Sequence, residues 1–591
     1  MDRNQAIGLT LMALVLLIYF IWFAPQPEPL PPVADSLSTQ QAPSAAQLPT
    51  EKPLTPDSLP DEATRPAEID ITTRDLKLTF STRGGTIRSL ELLHYKTYHQ
   101  KPLRLIDPDR HEFELVATVN GQPLNLYALN FRAEQHLKGD TTILSFTRSA
   151  NDRFVQFIYT IPPAGYEIGY RIINKNYLDN STAELRWKGK LALFERDLTD
   201  SRNFTTIVYR HNDEVDELSA RSSTEQQTLA GNINWVSVKQ KFFLNAIVSE
   251  KGFSQAVLQT SVPEQDTSIV KYGNFAVQIP AEQIAEGKVN LKFYFGPNDY
   301  QTIGKVAPQF AKNVYLGWPP VYWINKYVIF PVFHFLTKVF SNFGLIIIIL
   351  VILLRIVLLP LSYRSYLSMA KMKVLKPELD EIKEKFGDDM TKVQQEQLKL
   401  YQQAGVNPLS GCIPILLQMP ILFAMFYLFP NSIELRQQSF LWADDLSTYD
   451  SVINLPFTLP LYGNHVSLFT LLMTLSTLII TWQNNQISSV QGPMKSMSYI
   501  MPVVFMVVLN SFPAGLSFYY LMSNLVTFGQ QAIIRRFVDE AKIKKIMDEH
   551  RKAMAAGNGK KSKFMARLEE AMKASEEARR RAEEERKKRK K

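Results

Sequence analysis

The chain has 591 residues, room for several domains, and its single cysteine, Cys412, excludes an intramolecular disulfide and any cysteine-ligated metal site. Its net charge of +9 sits at one end: from Arg535 onward there are 21 Lys and Arg against 11 Asp and Glu. The remainder is close to neutral, so the basic balance belongs to a tail and excludes a nucleic-acid-binding fold as its cause.

Arg3 precedes an apolar run from Ala6 to Ala24 broken only by Gly8 and Thr10. An uncleaved transmembrane anchor is expected over residues 1–24. A secretory signal is the rival reading, but Pro25, Pro27 and Pro29 stand where a small-residue cleavage site would be. Residues 25–68 read as a linker, because eleven of the 34 prolines fall between Pro25 and Pro66 among Ser, Ala, Thr and Gln.

Residues 69–316 alternate polar and apolar positions, as in Asp75–Phe80, Thr142–Thr147 and Val289–Phe295, and crowd aromatic and β-branched residues into Phe154–Ile161. Gly84-Gly85, Asn120-Gly121 and Lys138-Gly139-Asp140 punctuate the runs as turns. A large antiparallel sandwich is expected, its sheets burying each other's apolar faces. Residues 317–341 mix Trp318, Tyr322, Trp323, Tyr327, Phe330, Phe333 and Phe335 with Lys326, His334 and Lys338. That mixture is too polar to span a bilayer and suits a helix lying in its interface; an amphipathic helix packed on the sandwich is the alternative.

Five further runs, near Phe343–Leu361, Gly411–Phe429, Val466–Trp482, Met497–Phe512 and Pro513–Ile533, approach the ~20 apolar residues of a spanning helix. Phe512-Pro-Ala-Gly515 splits the last two. Residues 362–410 carry eight Lys and Arg, whereas residues 430–465 carry only Arg436. The charge bias therefore places both termini, the 364–408 segment and the basic 534–591 tail in the cytoplasm, with the sandwich and the 430–465 loop outside. The fold class expected is a membrane α-helical protein with six transmembrane helices, five of them forming a core over 342–533, plus a large outer β domain.

Arg355 lies inside the apolar stretch Leu345–Pro360. A charge at that depth costs at least ~2.5 kcal/mol on insertion scales, so it should face protein or water, although a snorkelling Arg is the plainer reading. No acidic residue stands in the other spans, whose polar groups include Gln418, Thr470, Thr474, Thr477, Thr481, Ser517, Tyr519, Tyr520, Ser523, Asn524, Thr527 and Gln530. Together with Arg355 these could line one hydrated cavity; taken singly, each Ser or Thr is more often helix–helix glue. Ser365–Phe386 and Met390–Gln403, separated by Gly387-Asp388-Asp389, read as a helical hairpin. Its Met369, Met372 and Leu375 form an apolar stripe, either hairpin packing or an adaptable surface for apolar substrate. The chain holds no G-x-x-x-x-G-K-[ST], H-E-x-x-H or G-x-S-x-G motif, so no catalytic residue, cofactor or metal is expected. A transporter or channel is the competing reading. A sugar-active outer enzyme is a third, for which His94, His99, His111, His136 and His211 show no suggestive spacing.

Several stretches resemble a known family: Ser368–Met372, Val406–Pro414, Gln418-Met-Pro420, Met501-Pro502 and Phe512–Gly515 running into Tyr519-Tyr520 and Ser523–Leu525. The chain is similar over nearly its whole length to the YidC insertases, relatives of the mitochondrial oxidase-assembly and chloroplast Albino proteins, in the Gram-negative form with a large periplasmic domain. The resemblance implies a hydrophilic groove open to cytoplasm and lipid, with Arg355 as its arginine and Gln418 and Tyr520 as groove or substrate-contact positions; Tyr519, Ser523 and Asn524 join them as groove candidates from the pattern of polar residues. It implies a periplasmic β-supersandwich akin to galactose-mutarotase-like folds. The hairpin, with Met369, Met372, Asp388 and Asp389, and the basic tail would meet the ribosome and the signal-recognition targeting machinery. Nascent membrane proteins, the Sec translocon and membrane lipids are the implied partners, and the Gram-negative inner membrane the implied location. A threonine frequent in the family one turn before the groove arginine is Val351 here.

Overall fold

A computed structural model describes residues 66–150, 152–387, 390–406, 413–459, 462–487 and 493–555. The anchor expected over residues 1–24, residues 25–65 of the linker, Asp388, Asp389 and residues 556–591 lie outside the described residues. The chain divides into two compact units, one carrying the strands up to Tyr315 and one beginning at Leu316.

In the first unit β1 (Glu68–Thr72), β2 (Leu76–Ser81), β3 (Thr86–Lys96) and β4 (Pro102–Ile106) form a four-stranded antiparallel meander. A 13-stranded antiparallel sheet gathers β5 (His111–Val119), β6 (Gln122–Asn125), β7 (Arg132–Lys138), β8 (Thr141–Ala150), β9 (Arg153–Ile161), β10 (Glu167–Lys175), β11 (Ala183–Ala192), β12 (Thr206–His211), β13 (Glu214–Glu217), β14 (Thr224–Lys239), β15 (Phe243–Ser261), β16 (Ile269–Ile279) and β17 (Lys288–Pro297). Its path runs β6-β5-β11-β16-β15-β17-β10-β9-β8-β7, and β14 pairs with β15 to bring in β12 and β13. Asn120 and Gly121, both at positive φ, make the two-residue turn between β5 and β6 that matches strand twist. The period-two pattern explains the core: Leu76, Leu78 and Phe80 project from one face of β2 and are at most 1% exposed. Phe80 meets Tyr159 edge-on at 4.9 Å and Phe146 at 6.1 Å, joining the two sheets through one apolar cluster. Each such fully buried side chain stabilises the fold by ~1.5–3 kcal/mol.

The second unit is helical. It comprises α1 (Pro319–Ile324), α2 (Phe330–Val339), α3 (Phe343–Val357), α4 (Leu359–Val374), α5 (Lys376–Phe386), α6 (Met390–Gln403), α7 (Ile413–Asn431), α8 (Leu468–Ile487), α9 (Pro493–Leu509), α10 (Ala514–Phe537) and α11 (Glu540–Ala555). A two-stranded ribbon, β18 (Ile453–Leu459) with β19 (Gly463–Val466), stands between α7 and α8.

Three predicted helices are interrupted, each beside a proline. The run expected over 343–361 ends at Val357, and α4 leaves α3 at 63°. Pro360 lacks an N–H and its ring would clash with the carbonyl of Ile356. Pro377 likewise separates α4 from α5 within the stretch read as Ser365–Phe386. Between α1 and α2 a π-helical turn, Asn325–Ile329, absorbs Pro331. Among the described residues no single helix is long and apolar enough to cross a membrane; α3 and α4 pass that test only together.

Candidate functional site

Arg355 lies in the last turn of α3, where the partial negative charge of the helix end favours a cation. Its side chain is half-buried. Nη2 donates to Ser523 Oγ on α10 at 2.5 Å, and Nη1 makes a longer contact with Gln418 Oε1 on α7 at 3.5 Å. From α10, Gln530 Nε2 donates to the Arg355 carbonyl at 3.1 Å. Ser523 and Gln530 are seven residues apart and so share a helix face. Three helices thus meet around one guanidinium whose hydrogen-bond partners are all neutral, and among the described residues no carboxylate pairs with it. A neutral hydroxyl and amide orient the cation while leaving its charge uncompensated, which is what attraction of an incoming anionic group requires.

The remaining candidate positions divide. Tyr519 is 4% exposed and lies 5.5 Å, ring to ring, from Tyr520, which packs on Phe426 at 6.0 Å. The Tyr520 hydroxyl is buried without a hydrogen-bond partner among the described residues. Asn524 points away from Arg355: its Nδ2 donates to Ser476 Oγ and Thr477 Oγ1, both at 2.9 Å, tying α10 to α8. Thr474, Thr477 and Thr527 bond back to carbonyls four residues earlier on their own helices. These polar positions therefore divide into an arginine cluster, a helix–helix tie and locally satisfied hydroxyls.

A second polar cluster stands at the starts of α8 and α10; it takes in Thr470 and Ser517 from the polar positions named in the sequence, together with Asp450, Ser467 and Asn510, which sequence reasoning missed. Asp450, 3% exposed, accepts from Phe469 N–H at 3.0 Å, in the first turn of α8, and from Trp442 Nε1 at 2.9 Å, with Ser467 Oγ as a further partner. Thr470 Oγ1 lies 2.9 Å from Ser467 Oγ and 3.0 Å from Ser517 Oγ. Asn510 accepts from Ser467 N–H at 3.0 Å and donates to the carbonyls of Tyr462 and His465 at 2.9 and 2.8 Å. The loop carbonyls of Thr448 and Leu446 take up the free N–H groups of Ala514 and Gly515 at the start of α10. An Asp in a loop followed, before an apolar run, by Ser-Leu-Phe-Thr was the available signal for a helix N-cap.

A family model described as 60Kd inner membrane protein matches residues 335–542, and one described as YidC periplasmic domain matches residues 68–331. The membrane protein insertase YidC of Amoebophilus asiaticus is 42% identical over 595 residues, covering 97% of this chain and 99% of that protein. The chain belongs to the YidC membrane protein insertase family. The membrane protein insertase YidC of Cytophaga hutchinsonii is 43% identical, with 98% of each chain covered. A solved structure, an active YidC insertase with its first transmembrane domain resolved, aligns over 78% of this chain and 91% of that one at 20% identity, with a TM-score of 0.33.

Within this YidC-family chain, Val351 sits 1% exposed one turn before Arg355, so that position packs rather than presenting a hydroxyl. The hairpin methionines part company. Met372 is 8% exposed in an apolar cluster with Leu375, Leu379, Leu398, Tyr401, Ile543 and Met547, while Met369 lines a separate cavity. The cluster shows that α11, the start of the basic tail, is docked on the hairpin. Arg551 Nη2 holds both oxygens of Glu378 at 2.8 Å, and His550 Nδ1 lies 3.1 Å from the Gln403 carbonyl. Asn325, fully buried in the π turn, donates to the carbonyls of Leu316 at 2.9 Å and Ala424 at 3.2 Å, fastening the aromatic segment to α7. The opposite side of that segment leaves Trp323, Tyr327 and Phe335 more than half exposed.

Proposed function

We propose that this chain inserts and helps fold integral membrane proteins of the inner membrane, acting by binding and orientation rather than by covalent chemistry. The observation that carries the reading is the Arg355 cluster, a cation held among helices by neutral groups alone. Exposed apolar side chains on the helices support a membrane setting: Ile356 and Val357 on α3, Leu475 on α8, Ile500 and Phe505 on α9 and Leu525 on α10 would form apolar patches unlike those of a water-soluble surface. In this reading six helices span, the hairpin and both termini are cytoplasmic, the outer domain is a periplasmic sandwich, and α1–α2 lie in the interface. Nascent chains reach the groove from the ribosome and the targeting machinery, alone or beside the Sec translocon.

The energetics favour such a role. Carrying an Asp to the bilayer centre costs ~3 kcal/mol. At ~5 Å and an effective dielectric of ~20, a guanidinium attracts a carboxylate by about 3 kcal/mol. The groove cation thus offsets the cost for an acidic outward-going segment and leaves a neutral one unaffected. Release follows as the apolar helix partitions into lipid. The Asp450 cluster at the other end supports an inserting groove over a transporter's through-path. The test is reconstitution of the purified protein into liposomes with a one-span or two-span substrate. Protease-protected insertion above that of empty liposomes is expected. Insertion no better than in empty liposomes would overturn the proposal, and an open single-channel conductance would favour the competing one.

A further inference from the structure

The ribbon of β18 and β19 is fastened along one strand and bare along the other. His465 of β19 is buried: its ring stacks on Tyr449 at 3.7 Å, and its Nε2 lies 2.9 Å from the Asn510 carbonyl. Asn510, just past α9, also holds the carbonyls of Tyr462, in the ribbon's turn, and of His465, near its base. The ribbon therefore lies across the turn between α9 and α10 rather than standing away from it. On β18, Ile453, Leu455, Phe457 and Leu459 are apolar at alternate positions; Ile453 and Phe457 are each 57% exposed and Leu459 is 42% exposed. Val452–Ser467 contains no Asp, Glu, Lys or Arg. On α9, Ile500, Val504 and Val508 are exposed at four-residue spacing, a stripe on one helix face that runs up to Asn510.

We infer that this ribbon rests on the outer leaflet of the bilayer, with Ile453, Leu455, Phe457 and Leu459 against the glycerol and upper acyl carbons of phospholipid. Continuity decides the occupant: the bare strand belongs to a ribbon bonded to the end of α9, where that helix's exposed apolar stripe arrives, and lipid covers a spanning helix's apolar stripe. A protein that added a strand to β18 is the less suited partner. Pro456 gives β18 one N–H fewer and the pairing register shifts between Asn454 and Leu459, both of which blunt a strand edge against another chain. Depth follows from the backbone. β18 has a partner on one side only, and an open strand edge is not tolerated in hydrocarbon, so the ribbon sits at headgroup level, where water reaches that edge. With no cation on the ribbon, the contact is apolar and indifferent to headgroup charge. The inference rests on the proposed orientation, which sets the start of α8 and the end of α9 at the outer surface.

The test is site-directed spin labelling of the full-length protein in phosphatidylcholine liposomes. With Cys412 replaced by Ser, single labels are placed through Phe457→Cys and Ile453→Cys on the ribbon, Val504→Cys on the α9 stripe and Asp444→Cys on an exposed loop position. Power saturation with oxygen, which concentrates in lipid, and with a water-soluble nickel chelate reads the surroundings of each label. The ratio should shift toward oxygen at Phe457 and Ile453, as at Val504, and toward nickel at Asp444. Added phosphatidylglycerol should leave these ratios unchanged; a shift that requires the anionic lipid would overturn the apolar basis. Labels at Phe457 and Ile453 that respond like Asp444 would place the ribbon in water and overturn the inference. Labels there that neither reagent reaches would show protein covering the strand, a second copy included, and would also overturn it. Either result with Val504 still in lipid leaves the spanning reading intact, whereas nickel access at Val504 would sink both.

Discussion

The docking of α11 on the hairpin can be dissected by magnitude. Met547 and Ile543 are 3% and 5% exposed in the hairpin cluster, whereas Arg551 and Glu378 remain 32% and 41% exposed in their ion pair. Truncating a buried Met to Ala costs ~2–5 kcal/mol once the residual cavity is included. A partly exposed ion pair contributes ~1 kcal/mol or less because water and salt screen it. A helix of 16 residues is marginal by itself, so its order depends on this contact. Taking ~3 kcal/mol, Met547→Ala should raise local opening of α11 by roughly 150-fold, and Arg551→Ala by at most about fivefold. Hydrogen exchange of the amides in residues 540–555, in the full-length protein, reads both numbers. Equal exchange in the two variants, or faster exchange in Arg551→Ala, would refute the claim that apolar burial holds the tail.

Three further outcomes follow. Burial pushes His111 down to about 4 from its ordinary 6.5, so the unfolded chain binds the extra proton and stability of the β unit falls as pH drops from about 6.5 to 4. That loss is about 3 kcal/mol, and urea melts of His111→Phe at pH 7 and 4.5 should show a smaller pH difference than wild type. Asp450→Ala strips the α8 start of an acceptor whose charge-assisted bonds contribute ~1.5–3 kcal/mol each; the thermal midpoint should fall, while Asp444→Ala, outside the cluster, should not lower it. A Cβ at Gly344 would overlap the Phe440 ring, so Gly344→Ala should displace that ring and destabilise the helical unit, measured by the same melts.

Much of this architecture is legible locally. Alternation in Leu76–Ser81 and the Asn120-Gly121 turn are consequences of neighbouring residues, and both are strand and hairpin in the structure. The helix breaks at Pro360 and Pro377 carried a local signal too, but strong apolar or helix-prone flanks masked it. What sequence reading missed is long-range. Asp450 finds Ser467 and Phe469 across 17 and 19 residues, and Ser467 finds Asn510 across 43. Asn524 sits one residue from Ser523, yet the helix turns it toward α8 and away from Arg355. The basic tail hid an apolar stripe, since Ile543 and Met547 at four-residue spacing lie among five Lys and Arg of α11. Depth in an apolar run singles out Arg355, and the other spans offer twelve neutral polar candidates to surround it; the structure selects Gln418, Ser523 and Gln530 from them.

The most direct test compares Arg355→Ala, Arg355→Lys and wild type in proteoliposomes, using paired substrates that differ only by Asp or Asn in the outward-going segment. The account predicts that Arg355→Ala slows insertion of the Asp substrate by at least ~tenfold, given an attraction of about 3 kcal/mol, while the Asn substrate inserts at the wild-type rate. Arg355→Lys, which keeps a point charge, should retain most activity toward both. Equal insertion of the Asp and Asn substrates by Arg355→Ala, at wild-type rates and protein levels, would contradict electrostatic capture and leave Arg355 as a residue that only packs the helices.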